Sequence, residues 1–375
     1  MLNTTIPKLR CPRCDSKLEL SSRANPRSGA HAQVEEITSG HLKCVKCRLR
    51  FPVLAGVVIL VEDVREYIVN HVKGIAQVVQ ENEIPSEYLE DFCQAKAELQ
   101  VEHIEEDLEA QRVTALYLMN HYLQVKGAKT PDEKWWQPRG APGSPLIDQL
   151  VREHWDKGPF SQIQKWVKDL KPGRNAVDLA CGLGGLYPVL RPYLSSYLGV
   201  DSSFASIALA RHLALGTEYR GPIGIPEDLL EGPVSRRWEC SPPGELDGRA
   251  DFVVGDLDKP PLEFGSFDLS IALNAIDMLD DPATLPKLQH QLLGDKGVAI
   301  QSCPYIWHEF VARKLREKLK ANGKRGLDSA RAVEWLYERR GFSIQSRVEH
   351  LPWLFLKHAR QLEIYSVHLF TARKG

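Results

Sequence analysis

Strand-length apolar runs alternate with segments of helical period from residue 145 to residue 375, the pattern that builds a mostly parallel α/β sheet. The runs lie at 175–181, 197–201, 250–256, 266–274 and 297–302. A helix is predicted over about 146–170, where Trp155, Phe160, Ile163 and Trp166 either cap a ligand entrance or cover the sheet. A second is predicted over 329–340, ending at Gly341 as a helix C-terminus should. The strand-like stretches 342–347 and 365–371 then predict a terminal antiparallel hairpin.

Upstream the period changes. Residues 63–127 read as helices, with apolar positions at Tyr67, Ile68, Val72 and Ile75, and again at Leu99, Val101, Ile104, Leu108, Val113, Leu116 and Leu118. The stretch 128–145 holds Trp135-Trp136 among Pro and Gly, a connector whose tryptophans plug a seam between domains or stack on a base. A long Pro/Gly-rich insertion, 216–248, separates the second and third of the apolar strands. The predicted division is a small N-terminal domain at 1–62, a helical linker region at 63–144 and an α/β domain at 145–375.

The chemistry sits at the strand ends. Asn175-Ala-Val-Asp-Leu-Ala-Cys-Gly-Leu-Gly-Gly185 runs a strand into a Gly-rich turn, and Tyr197-Leu-Gly-Val-Asp201 ends the next strand in a carboxylate. Asp178 precedes the glycines, where it can accept from a ligand ammonium and would repel a pyrophosphate. That favours S-adenosylmethionine over NAD. Gly182 and Gly184 let backbone N–H groups approach a ligand, and Asp201 is placed to accept ribose hydroxyls. Asp256 ends the third strand, suited to an adenine amino group, with Leu257 packing on the ring. The fourth strand ends at Asn274, where open α/β sheets place their ligands.

In these segments the chain resembles the class I S-adenosylmethionine-dependent methyltransferases over about 145–375. The family's first motif is Asp-x-Gly-Cys-Gly-x-Gly; here it is Asp178-Leu-Ala180-Cys-Gly182-Leu-Gly184. The resemblance implies a Rossmann-like seven-stranded sheet with a terminal antiparallel hairpin. It also implies a cofactor site at Asp178, Ala180, Cys181, Gly182, Gly184, Asp201, Ser202, Asp256, Leu257 and Asn274. Alanine in place of the first glycine is tolerable if residue 180 keeps φ below zero.

Lys and Arg total 48 against 49 acidic residues, a net charge of −1, so no global field draws in nucleic acid or an anionic membrane. The N-terminus lacks a secretion signal, and the longest apolar run, 51–61, is too short to span a bilayer. A cytoplasmic protein without a membrane partner is expected. Of the eight cysteines, four form Cys11-Pro-Arg-Cys14 and Cys44-Val-Lys-Cys47; Cys93, Cys181, Cys240 and Cys303 are scattered. Paired knuckles of this kind complete a tetrahedral structural Zn²⁺ site, with 21–33 as a polar loop inserted between two strands. Residues 6–63 are similar to the small zinc-ribbon proteins that activate tRNA, rRNA and protein methyltransferases. That likeness implies a ribbon joined covalently to its catalytic partner.

Methyl transfer needs alignment, and a base only where the acceptor carries a proton. Catalytic candidates past the fourth and fifth strands are Asn274, Asp277, Tyr305 and His308, with Trp307 as a further cage face. The Asn/Asp-Pro-Pro-Tyr motif is absent after the fourth strand. Asn274-x-Ile-Asp277, Pro304-Tyr305-x-Trp307 and the segment 351–361 are similar to the methyltransferase region of ovothiol biosynthesis enzymes. That partial likeness implies Asn274, Asp277, Tyr305 and Arg360 at an imidazole-type acceptor. The acidic stretch 81–109 does not favour a nucleic-acid partner. Expected is methylation at nitrogen of a small polar metabolite; the alternative is an RNA or protein acceptor docked by the ribbon and the basic segment 313–325.

Overall fold

A computed structural model describes residues 1–24, 27–28, 34–102, 116–118, 120–122, 144–170, 174–221, 223–226, 235–237, 246–358 and 361–375. Trp135, Trp136, the stretch 103–115, Cys240 and Arg360 lie outside the described residues.

The chain begins with β1 (Leu18–Ala24), β2 (Arg27–Ser28), β3 (Glu35–Glu36), β4 (Ser39–Cys44), β5 (Arg50–Leu54) and β6 (Val57–Leu60). Helices α1 (Val64–Asn70), α2 (Val72–Ala76) and α3 (Ser86–Glu102) follow, then helical residues at 116–118 and 120–122. Next come α4 (Pro145–Lys157), α5 (Pro159–Lys168), β7 (Arg174–Leu179), α6 (Leu186–Leu190), β8 (Leu194–Asp201), α7 (Phe204–Leu215), β9 (Gly224–Pro226), β10 (Ser235–Arg237) and β11 (Ala250–Gly255). The C-terminal part holds β12 (Phe267–Leu273), α8 (Thr284–Leu292), β13 (Leu293–Cys303), α9 (Glu309–Ala321), α10 (Ser329–Glu338), β14 (Phe342–His358) and β15 (Gln361–Lys374).

The five apolar runs become β7, β8, β11, β12 and β13. They pair in parallel in the order β11-β8-β7-β12-β13, and the hairpin of β15 and β14 adds antiparallel to β13. These strands are the expected methyltransferase-type seven-stranded sheet. The sheet does not stop at β11. Ile59 and Leu60 of β6 pair in parallel with Val254 and Gly255, and β5, β4 and β1 extend it antiparallel to eleven strands. A bare parallel edge would expose a row of unpaired backbone groups. Here β6, buried along its whole length, covers it.

The run 51–61 is therefore two strands and not one. Ala55 (φ 46°) and Gly56 (φ 80°) both take the left-handed backbone that a tight two-residue hairpin demands. Residues from the N-terminal strands and from the central sheet belong to one continuous apolar core, in which Phe51, Val58 and Ile59 join Phe252 and Val254.

Helix α7 packs against β6, β8, β11 and α2 and is apolar nearly all round. Ser203 caps its N-terminus, accepting from the Ser206 N–H at 3.2 Å, and Gly216 (φ 74°) ends it in the left-handed region. The exception on this helix is Arg211. It is 1% exposed, 3.0 Å from the Glu36 carboxylate of β3, and paired with Asp251 of β11. Asp251 also accepts from the Leu2 N–H and the Thr5 hydroxyl, each at 2.7 Å. One guanidinium thus ties the N-terminal segment to the central sheet. Removing it leaves two carboxylates buried without their cation. Arg211→Met is expected to cost about 3–5 kcal/mol in urea unfolding; a loss under about 1 kcal/mol would show that the pairings contribute little.

Candidate active site

A cavity of about 980 Å³ opens at the C-terminal ends of β7, β8, β11 and β12. This is where parallel sheets place their ligands, because the strand order reverses there and the following turns diverge. Asp178, Ala180, Cys181 and Gly182 line it from the first turn, Asp201 and Ser202 from the end of β8, Asp256 and Leu257 beyond β11, and Asn274 beyond β12. Of the expected cofactor residues only Gly184 does not line the cavity. It serves the turn's packing instead: a Cβ at Gly184 would sit 2.5 Å from the Phe252 ring.

Ala180 has φ 58°, Gly182 φ 53° and Gly184 φ 69°. Residue 180 does not keep φ below zero, so the condition for an unstrained alanine is not met. The turn needs left-handed backbone at alternate positions, and alanine accepts it at an energetic cost. Asp201 holds the turn in place. Its carboxylate oxygens accept from the Gly182 N–H and from the Ser203 N–H, each at 2.9 Å. Each oxygen keeps a further lone pair. Burial pushes the Asp201 pKa up. Burial likewise lifts Asp178 to about 7, opposed by the hydrogen bond it accepts from the Tyr197 hydroxyl. Two buried carboxylates with raised pKa values are a place where a ligand cation or hydroxyls are welcome.

At the β12 end, Asn274 is again left-handed (φ 54°). Its N–H donates to Ser302 O at 2.8 Å, and its side-chain oxygen accepts from the Ser302 hydroxyl at 2.9 Å. The other catalytic candidates do not line the cavity. Asp277 is buried and accepts from the Ile306 N–H at 2.9 Å, shaping the segment after β13. The Tyr305 hydroxyl lies 2.7 Å from His368 Nδ1, and its ring stacks on Trp307. His308 is exposed at the N-terminus of α9.

Phe160 is the one roof residue that the sequence offers as a cap on the entrance; the roof residues from the helices before it are not anticipated. His71, Lys73 and Gln77 from the α1–α2 region, Tyr117, Asn120 and His121 from the next helical residues, and Phe160, Trp353 and Phe355 close it. The Tyr122 hydroxyl donates to Leu183 O at 2.7 Å, and the Tyr67 hydroxyl to Ser202 O at 2.6 Å, so both helical pieces are fastened to the turns beneath them. His121 Nδ1 accepts from the Gly185 N–H at 3.4 Å, and burial lowers its pKa to about 4, leaving a neutral imidazole. The signal available in sequence was the polar and aromatic face Tyr117-x-x-Asn120-His121 within an otherwise apolar period.

A second cluster lies in the N-terminal strands. The sulfurs of Cys11, Cys14, Cys44 and Cys47 all lie within 4.8 Å of one another, with Cys11–Cys47 at 3.5 Å and Cys14–Cys44 at 3.4 Å. None of these cysteines is in a disulfide. Thiolates at about 2.3 Å from a tetrahedral ion stand about 3.8 Å apart. The donor set and spacing fit such an ion.

A family profile described as a methyltransferase domain matches residues 151–347. The chain belongs to this methyltransferase family. It is an S-adenosylmethionine-dependent methyltransferase. Similar solved structures include the YcgJ protein of Bacillus subtilis, with 12% identity and a TM-score of 0.38 over 57% of this chain and 97% of that one. Magnesium protoporphyrin IX methyltransferase of Synechocystis PCC 6803, solved with bound SAH, shows 15% identity and a TM-score of 0.37 over 63% and 90%. A chain in the complex of the Haloferax volcanii Trm112 methyltransferase activator with its methyltransferase shows 15% and 0.37 over 61% and 93%. No curated protein matches the chain.

In this methyltransferase the alanine of the first turn carries a strain that its glycine counterpart would not. Ala180→Gly is expected to raise unfolding stability by about 1 kcal/mol, since relief of the left-handed cost exceeds the added freedom of the unfolded chain. Unchanged or lower stability would show that the turn is relaxed around alanine.

Proposed function

We propose that this methyltransferase methylates a nitrogen, of imidazole or amine type, on a small polar metabolite that sits in the cavity beside the donor. The observation that carries this reading is the roof. The chain's own linker helices and β14 wall the cavity, and about 980 Å³ accommodates a donor and a small acceptor together. Phe160, Trp353, Phe355 and Tyr117 supply aromatic faces for a nitrogen acceptor. Of the residues that the partial likeness to the ovothiol methyltransferase region implies at the acceptor, Asn274 lines the cavity, which agrees with the same class.

When bound, the donor supplies an electrophilic methyl group on a sulfonium. Asp178 and the Gly182 turn hold its methionine end, Asp201 with Ser202 its ribose, and Asp256 with Leu257 its adenine. Ala180 and Cys181 complete the turn, and Asn274 faces the reacting end. Asp277, Tyr305 and His308 act from behind that wall, as groups that position the segment after β13. Alignment supplies most of the rate. The four cysteines would hold a structural Zn²⁺, which with four thiolate ligands would support the fold and take no part in transfer. This reading retains a zinc ribbon at 1–62, a helical linker at 63–144 and the catalytic domain at 145–375.

A macromolecular acceptor is favoured by one feature, the basic helix α9, where exposed Phe310 lies under Lys314 at 4.1 Å and Arg313 at 5.8 Å. Incubation of the protein with radiolabelled donor and size-fractionated cell extract separates the two. Label is expected in the small-molecule fraction; label confined to RNA, with transfer falling steeply as salt rises, or confined to protein, would overturn the proposal.

Asp178 also gives a pH dependence. Its raised pKa means that it is mostly protonated below about 7, where it attracts a ligand ammonium poorly. Donor affinity is expected to weaken about tenfold from pH 8 to pH 6 and to be nearly flat in Asp178→Asn. Equal slopes in both proteins would remove Asp178 from the methionine site.

A further inference from the structure

Where α10 packs on the β14–β15 hairpin, away from the cavity lining, three ligand-type groups converge. His368 Nε2 lies 3.4 Å from Glu334 Oε1 and 3.7 Å from Glu349 Oε1, and all three donor atoms lie within 4.8 Å of one another. His368 is 3% and Glu334 4% exposed, yet neither Nε2 of the one nor Oε1 of the other makes a hydrogen bond. Buried polar atoms left in this way need a partner.

The surroundings aim these atoms at a common point. Glu334 Oε2 accepts from Arg331 Nη1 at 2.9 Å and from Arg347 Nη1 at 3.2 Å, which turns Oε1 inward. The Tyr305 hydroxyl sits 2.7 Å from His368 Nδ1. A proton on Nδ1 donated to that hydroxyl leaves the Nε2 lone pair facing the two carboxylates, the arrangement a metal-binding histidine uses. The strand is bent to match. Val348 pairs with Leu369 and Leu351 with Val367, so Glu349 and His350 together oppose the single residue His368, and His350 adopts φ 56°. Such a bulge re-aims a side chain, and Glu349, on the bulge, remains accessible from solvent.

The geometry points to a second metal site, formed by Glu334, Glu349 and His368, that takes a zinc-like divalent cation with solvent as its fourth ligand. Nitrogen and oxygen donors about 2.0–2.1 Å from a tetrahedral ion stand about 3.4 Å apart, close to the two distances above. An imidazole ligand and two carboxylates suit Zn²⁺ better than Mg²⁺ or Ca²⁺, which prefer oxygen shells. The two arginines limit its affinity by offsetting the carboxylate charge. The ion would fasten α10, the hairpin and, through His368, the Tyr305 segment. It is distinct from the four-cysteine cluster in both place and donor type.

The test titrates ZnCl₂ into the full-length protein as purified, following uptake by equilibrium dialysis and elemental analysis, with CoCl₂ as a spectroscopic stand-in. Expected is one zinc taken up beyond the amount retained on purification, and a cobalt spectrum at that site without thiolate charge-transfer bands. Glu349→Ala, a change at an exposed position, should weaken uptake at least tenfold, and Tyr305→Phe by about tenfold. His368→Asn should abolish it; should that buried substitution fail to fold, Glu349→Ala decides alone. No further uptake at millimolar zinc, or uptake unchanged in Glu349→Ala, would overturn the site.

Discussion

The cavity depends on one backbone geometry, the alternate left-handed turn after β7, and on the carboxylate that clasps it. Asp201 reaches from the end of β8 to the Gly182 N–H and caps its own turn at Ser203. Pointing that N–H at a carboxylate satisfies a donor the turn would otherwise leave unpaired. It also keeps the turn flat against Phe252, where only glycine fits at position 184. A buried acid that braces the backbone while keeping spare lone pairs is already oriented for a ligand, so little reorganisation accompanies binding.

The N-terminal part of the chain is a structural party to this site. Strand β6 covers the edge of β11, Arg211 joins β3 to β11 across α7, and Tyr67 is fastened to the end of β8. The residues that follow, His71, Lys73 and Gln77, then form cavity wall. A change in the N-terminal strands can therefore reach the cavity through packed side chains.

Much of this was legible in the chain itself. Nearly continuous apolar runs mark the central strands, and acids or amides at their ends mark the cavity rim, because parallel strands are buried and must stop where polar groups meet solvent. Three things were not legible. Periodicity cannot separate one long strand from a tight hairpin, so the break at Ala55-Gly56 was hidden within the run 51–61. The roof residues Tyr117, Asn120 and His121 form a polar and aromatic face on a helical segment, but which element that face meets is set by long-range packing and cannot be read from its period. Position after a strand also does not fix where a side chain points. Asn274 meets the cavity while Asp277 and Tyr305 turn away into hydrogen bonds of their own. The segment 351–361 divides similarly: Trp353 and Phe355 line the cavity, and Arg360 lies outside the described residues.

Calorimetric titration of S-adenosylmethionine and of its demethylated product, into the parent protein and into Asp201→Ala, tests the central claim most directly. The parent should bind both with one-to-one stoichiometry, and the variant should lose at least about tenfold in affinity for each, as expected when a charged hydrogen-bonding partner is removed. No binding heat in the parent, or identical affinities in the two proteins, would contradict the assignment of this cavity to the methyl donor.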